Sequence, residues 1–453
     1  MKRKWFDKKV LILGLSKSGI SAAKYLNSKG ADCFVSEFKN AEEKDFDKIK
    51  ELEGLGIKVE TGGHSDEFIE GAYLAITSPG ISPLKPVFSR LKDKNVPVVS
   101  EIELAYLETT TPFIAITGTN GKTTTTALTS YILEKEYKAP ACGNIGLPPT
   151  SLIDEKNDYL VCELSSYQIE MSPTLRPQIA CFLNFTPDHI EWHGGLDNYF
   201  KAKIKLFEDH KQPAFSVFNA LDEKVFEFGK YYSGEKYFFG REFDENCCYI
   251  KNNSICFKKA EEEEIISISD INLVGEHNLQ NIMCAVIVAK IIGIDNDVIK
   301  DAIKSFKAVE HRIEFVAEAL GHKFYNDSKA TNPEASIVAL KSFEGKSITL
   351  IAGGRDKNTD LKEFCDMIKK YINNVILIGE AAQRFKENLV ENGFENIAEA
   401  ESLESAVDKA ITYSDEIILL SPACASFDMY DNYEQRGEVF KGYVLSQIQQ
   451  KTY

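Results

Sequence analysis

A chain of 453 residues with 43% hydrophobic side chains is long enough for roughly two to four domains with real cores. No stretch of it reads as long and apolar enough to span a bilayer. A formal charge of −16 argues against a general nucleic-acid binder, so anionic ligands must be met by local lysines, arginines and helix ends.

The opening Met1–Asp7 is basic, but Asp7, Lys8 and Lys9 interrupt any apolar run, so it does not read as a signal peptide. Ten cysteines without a CxxC pair, two of them adjacent at Cys247 and Cys248, read as reduced thiols of a cytoplasmic protein. Residues 8–107 alternate short apolar strands with helical spacing. Strands are expected at Lys9–Leu13, Ala31–Ser36, Ile57–Glu60, Tyr73–Thr77 and Val96–Val99, with a helix over Ile20–Leu26. That pattern predicts a doubly wound sheet. Its first turn, Gly14-Leu15-Ser16-Lys17-Ser18-Gly19, is G-x-S-x-x-G, and Glu37 follows the second strand. Such a turn suits a phosphate-bearing ligand, a dinucleotide or plain packing. Ser78-Pro79-Gly80 reads either as a ligand loop or as a plain turn.

After a linker at Thr109–Pro112, Ile114–Ile116 reads as a buried strand and Gly118-Thr119-Asn120-Gly121-Lys122-Thr123-Thr124 as a shortened P-loop. Its glycines allow a tight turn whose amides can face phosphate oxygens. Lys122 adds positive charge, Thr123 offers a hydroxyl to Mg2+, and the following helix N-terminus favours anions. Asn144 lies in a Gly/Pro-rich loop. The strand Tyr159–Glu163 delivers a carboxylate at its end, either to a metal, since hard cations take oxygen ligands, or to the surface. Ile179–Leu183 is the next strand.

His189 closes that strand's loop as a metal or substrate contact, whereas His193 fits a structural role. Pro187 and Gly194-Gly195 bracket His189–His193 as a loop rather than a zinc helix. A helix over Asn198–Asp209 carries Lys201, Lys203 and Lys205, either a solvated face or an approach to phosphates. A plain ammonium cannot ligate a cation, so a lysine beside Mg2+ would need modification to a carbamate. Residues 222–270 read as polar and irregular, with short strands, and the Glu261–Glu264 run as solvated. The helix Ile282–Ile292 follows Asn278 and Asn281, which share a helical face and either read an adenine edge or cap the helix.

A third α/β unit is expected from Val309. His311-Arg312 opens it, and an arginine there can clamp a phosphate. Strand ends lead into Asn326–Pro333, Gly353–Lys357 and Ser421–Gly437, the edge where open α/β sheets bind ligands.

These stretches together resemble the Mur ligase family over essentially the whole chain. The P-loop, the Glu163 strand and the His277-Asn278-x-x-Asn281 segment are shared widely in that family. Asn326–Asn332 and Ser421–Gly437 look like its D-glutamate-adding branch, and the Asp-Asn-Pro-Arg motif of diamino-acid-adding siblings is missing. The resemblance implies an α/β chain of three domains: an N-terminal Rossmann-like domain (1–108), a central P-loop ATPase-like domain (109–309) and a C-terminal Rossmann-like domain (310–453). It implies an ATP-dependent ligase that activates UDP-N-acetylmuramoyl-L-alanine as an acyl phosphate and adds D-glutamate. It also implies two Mg2+ ions, and the chain is expected to be a monomer.

Residue by residue, the resemblance puts Gly118–Thr124 on the ATP phosphates, Asn278 and Asn281 on the base, and Arg312 and Asp327 on phosphate and ribose. Thr123 and Glu163 would hold one Mg2+, and His189 with a carbamylated Lys203 the other. Lys122, His189, Lys203 and Arg312 would carry catalysis. Leu15, Ser16, Lys17, Ser18, Asn144 and His189 would hold the UDP-substrate. Thr331, Lys357, Ser426, Phe427 and Tyr433 would hold D-glutamate, and Lys329 and Thr331 would lie at the domain junction. Ser36-Glu37-Phe38 departs from the Asp-Thr-Arg of some relatives. Two readings outside the family are a P-loop regulatory switch and a dehydrogenase; the missing central glycine of the first turn counts against the second.

Overall fold

The computed structural model describes residues 4–187, 190–208, 212–307, 309–356 and 358–451. Twenty strands form three sheets among them. The first holds β1 (Lys9–Leu13), β2 (Asp32–Glu37), β3 (Lys58–Thr61), β4 (Leu74–Thr77) and β5 (Val98–Ser100), all parallel, in the order β3-β2-β1-β4-β5. Apolar side chains on both faces of β1 suit a strand covered by helices on each side. Val10, Leu11, Ile12 and Leu13 are all fully buried.

The second sheet holds β6 (Phe113–Thr117), β7 (Ala141–Gly143), β8 (Leu160–Glu163), β9 (Ile179–Phe182), β10 (Phe215–Asn219), β11 (Lys236–Phe239), β12 (Cys247–Lys251), β13 (Ser254–Lys258) and β14 (Glu262–Ser267). Its order is β14-β13-β12-β11-β10-β9-β6-β8-β7. β7 to β12 run parallel with β6, and β13 and β14 add an antiparallel edge. β6 lies between β8 and β9, so the P-loop leaves the sheet where the strand order reverses. Ligands collect at such a point in open α/β sheets.

The third sheet holds β15 (Glu314–Ala319), β16 (His322–Asn326), β17 (Ile348–Gly353), β18 (Asn374–Ile378), β19 (Ile397–Glu399) and β20 (Ile417–Leu420), ordered β15-β16-β20-β17-β18-β19 with β15 antiparallel. The chain divides into two compact units. One holds the first two sheets, through Asp270 and with Gln280–Lys304; the other holds Ile271–Leu279 and Ser305 onward, with the third sheet. No helix among the described residues is long and apolar enough to cross a membrane. All ten cysteines are buried free thiols, and burial raises Cys33 and Cys424 to about 12.

Four expectations need correcting. Ile190–His193 is a turn of helix, not loop. The lysine-bearing helix runs Leu196–Ile204 and tightens into a 3-10 turn at Lys205–Phe207, because Leu206 and Phe207 turn inward and are buried. Residues 222–270 carry the expected short strands, β11 to β14, but are more regular than expected and begin with the helix Glu223–Tyr231, capped by Asp222. The glutamate run is not merely solvated. Glu262 pairs with Lys251, Glu263 with Lys290 and Asn296, and Glu264 accepts from Ser254. Strand alternation, with one face turned to water, made that edge look polar and irregular. The strands β7, β10, β15 and β19 also went unanticipated; they are short or carry polar residues such as Ser216 and Asn219.

Candidate active site

The P-loop is built from β6 and the helix Lys122–Leu133. Gly121, at φ 81°, starts that helix, and no side chain caps it. A side chain at Gly121 would collide with the Asn281 amide, and Asn281 also accepts from the Thr125 hydroxyl at 3.1 Å. Asn281 therefore sits against the turn. Two loop amides do not face outward as expected. The N–H groups of Thr119 and Asn120 donate to Asn184 Oδ1 at 3.0 and 2.8 Å, and Asn184 donates back to the Asn120 carbonyl. Asn184, at the end of β9, staples the loop. Sequence reasoning missed it, although a polar residue ending an apolar strand was the signal.

Two ammonium groups converge here. Lys122 Nζ donates to the carbonyls of Gly118 and Thr119 at 2.9 and 2.7 Å. Lys203 Nζ donates to the Gly118 carbonyl at 2.8 Å and lies 4.8 Å from the Tyr199 ring centre. Lys203 is 1% exposed, so the solvated-face reading fails for it. The Tyr199 hydroxyl is 3.1 Å from Thr119 Oγ1. Thr123 and Thr124 are buried in the first helical turn.

Glu163 ends β8 and is buried. Its Oε1 accepts from Asn144 Nδ2 at 2.9 Å, while its buried Oε2 has no hydrogen-bond partner among the described residues. An unsatisfied buried carboxylate oxygen costs about 1–3 kcal/mol or more, which a divalent cation would offset. Asn144 is held in turn by its own N–H on the Glu163 carbonyl at 2.9 Å. His193 bonds Ser166 at 2.9 Å and stacks on Tyr167, in keeping with a structural role. His189 lies outside the described residues.

The first sheet's turn is arranged differently. Leu15 is buried and its N–H donates to Glu37 Oε2 at 3.0 Å; Glu37 is itself the last residue of β2. Ser16 caps the helix Lys17–Ser28 and lies 2.8 Å from Ser78 Oγ. Gly14, at φ 98°, leaves no room for a side chain beside Ser78. Lys17 and Ser18 face solvent or nearly so.

In the second unit, Asp327 follows β16 and is buried. Its Oδ2 accepts from Ser421 at 2.7 Å and its Oδ1 from the Ile313 N–H at 3.2 Å. Burial pushes its carboxyl up to about 7, against the pull of Ser421 and the Arg312 guanidinium. Burial and the same guanidinium push His277 down to about 4. Arg312, Asp327 and His277 therefore form one neighbourhood. Asn278 is the third residue of the helix Glu276–Ile292 and donates to the Val274 carbonyl at 2.7 Å, so it is not the cap of that helix.

The final helix, Tyr433–Lys451, holds the loop after β16. Ser328 donates to the Tyr433 carbonyl, and Lys329 Nζ lies 5.6 Å from the Tyr433 ring centre. Arg436, a hub that sequence reasoning did not single out, is 1% exposed and donates to Ser328 and to the Cys424 carbonyl. Ser426 is buried and Phe427 is 66% exposed. Arg355 reaches that segment through the Ala425 and Phe427 carbonyls. Thr331 sits in the same loop as Lys329, bonded to its carbonyl. Lys357 lies outside the described residues; Asp356 beside it is clamped by Arg384 at 2.7 Å.

Comparison with known proteins fits this geometry. Three family profiles match in succession: Mur ligase MurD-like, N-terminal domain, over 8–100; Mur ligase middle domain over 116–289; and Mur ligase, glutamate ligase domain, over 311–424. The UDP-N-acetylmuramoylalanine--D-glutamate ligase of Caldanaerobacter subterraneus is 39% identical over 447 residues, covering 97% of this chain and 98% of its own. That of Acidobacterium capsulatum is 39% identical over 448 residues, covering 97% and 96%. Among solved structures, the UDP-N-acetylmuramate-alanine ligase MurC from Thermotoga maritima aligns with TM-score 0.61 at 20% identity, over 97% of this chain and 99% of that one. The MurF ligase from the same organism, in complex with ADP, gives 0.59 at 16% identity, over 98% and 96%. At those identities the structures speak to the fold alone. With its three sheets in sequence, its P-loop at the strand-order reversal and relatives matched almost end to end, the chain belongs to the Mur ligase family.

Proposed function

We infer that this chain is an ATP-dependent ligase that joins D-glutamate to UDP-N-acetylmuramoyl-L-alanine through an acyl phosphate, in peptidoglycan precursor synthesis. The observation that carries this reading is the near-full-length likeness to relatives of that one activity. The geometry is what such a reaction needs. Phosphoryl transfer to a carboxylate brings two anions together, so catalysis is chiefly positioning and charge stabilisation. Lys122 and the uncapped helix N-terminus after Gly121 meet the ATP phosphates. Lys122 does so by exchanging its loop carbonyls for phosphate oxygens.

The orphaned Glu163 oxygen and the buried Thr123 hydroxyl fit Mg2+, which would draw charge off the transferring phosphoryl group. A second ion, held by His189 and a carbamylated Lys203, is part of the proposal. Burial of Lys203 at the P-loop fits it, since a carbamate would keep an N–H for the Gly118 carbonyl and add a carboxylate that can ligate a cation.

Asn281, Asn278, Arg312 and Asp327 would contact the nucleotide. Leu15–Ser18 and Asn144 would hold the UDP-substrate, with His189. Thr331, Lys357, Ser426, Phe427 and Tyr433 would hold D-glutamate, with Lys357 opposing a carboxylate. The working domains would be 1–108, 109–309 and 310–453, in a cytoplasmic monomer; ten buried free thiols support that compartment.

Phosphate release from ATP tests the reading. It should require UDP-N-acetylmuramoyl-L-alanine and D-glutamate together. Turnover with L-lysine or diaminopimelate in place of D-glutamate would reject it.

A further inference from the structure

The helix Glu101–Glu108 joins the first sheet to the second, and its first turn carries two buried carboxylates. Glu101 Oε1 accepts from the Thr150 N–H at 2.6 Å. Burial pushes this carboxyl up to about 7, and hydrogen bonds from Thr150 are what offset it. The Thr150 hydroxyl donates to Ser21 Oγ at 2.8 Å. Ser21 lies one turn into the helix Lys17–Ser28, which opens from the turn Leu15–Ser18. Thr150 also ends the loop that starts at Gly143 and Asn144. That loop is short and closed on itself by the Gly143 N–H on the Leu147 carbonyl at 3.0 Å. Its other end is fixed by Asn144 on Glu163. Thr150, buried and anchored on Glu101, thus ties the helix that follows the first turn to the loop at the reacting end. Neighbouring contacts stiffen the junction: Ser100 on Ser172, and Glu103 on the Thr174 N–H at 2.8 Å.

We propose that Glu101, through Thr150 and Ser21, is a positioning residue that sets the span between the uridine-diphosphate turn and the Asn144–Glu163 loop, so that one long substrate engages both ends at once. The proposal rests on the functional reading above. Its physical content is that a ligand held at two places is sensitive to the distance between them, whereas a ligand held at one is not. Displacement of about 1 Å can cost roughly 100-fold when both ends must register.

Calorimetric titration of the full chain with UDP and with UDP-N-acetylmuramoyl-L-alanine tests this. Glu101→Ala should raise the Kd of the whole substrate about 10- to 100-fold and leave that of UDP within about twofold. Glu101→Gln, which keeps an acceptor for the Thr150 N–H, should restore whole-substrate binding. Should Glu101→Ala fail to fold, Thr150→Val and Ser21→Ala carry the same test with the shape of the junction kept. Equal weakening of both ligands overturns the proposal, because it marks general damage. So does a wild-type preference for the whole substrate that the variants leave intact. A wild-type chain that binds UDP and the whole substrate equally overturns the functional reading, and the proposal with it.

Discussion

Two turns in this molecule share a design and differ in what fills them. Each follows a buried parallel strand, contains a glycine at positive φ, and leads into a helix of 12 residues. At Gly14–Gly19 the vacancy is filled from within: Glu37 takes the Leu15 amide and Ser16 caps the helix. At Gly118–Gly121 the helix has no side-chain cap, and two ammonium groups lie on the loop. A helix N-terminus concentrates partial positive charge. The helix end at the first turn is capped by a side chain and the one at the second is not, although Asn184 takes two amides of the second loop. A glycine turn is therefore informative only together with what satisfies its amides.

The contrast can be broken most severely at the open turn. Lys122→Ala should lower kcat/KM about 100- to 1,000-fold, read by phosphate release. Glu163→Gln should come next. It removes the charge beside the orphaned oxygen, and the Mg2+ concentration for half-maximal rate should rise at least about tenfold.

The junction between the first turn and the Asn144–Glu163 loop is read by pH. Glu101 is raised from 4.5 to about 7 by burial, so the folded chain binds a proton there that the unfolded chain releases. Its stabilising effect is full below about pH 4.5 and fades as pH rises through about 7. Glu101→Gln stays neutral. Denaturant titrations should therefore show it gaining on wild type between about pH 5 and about pH 8, by up to about 3 kcal/mol. A difference that does not change with pH, or that runs the other way, would contradict this. The smallest effect belongs to the closed turn. Ser16→Ala removes a helix cap and should cost about 1 kcal/mol of stability, again by denaturant titration.

Much of the site was legible because it is local. Gly118–Thr124 carry their chemistry in consecutive residues, and Glu163 ends an apolar run whose length marks a strand. The Ser421–Gly437 cluster follows a strand of unbroken aliphatics, β20. Asn184 was not legible. Its role depends on β9 lying beside β6, a pairing between residues 65 apart in sequence. The burial of Lys203 was hidden for the same reason: on its own helix it sits among Lys201 and Lys205, and only packing separates it from them. Arg436 needed the last helix to cross the ends of β16 and β20 before its guanidinium found Ser328 and the Cys424 carbonyl.

What the sequence by itself determined is the alternation of strand and helix, the P-loop and the carboxylate at a strand end. Short-range hydrophobic period and glycine placement dictate these before any distant contact forms. Tertiary structure alone decided which amides are satisfied internally, which ammonium is withdrawn from water and which carboxylate oxygen is left without a partner. Those are outcomes of desolvation, and a side chain loses its water only when residues far along the chain close over it.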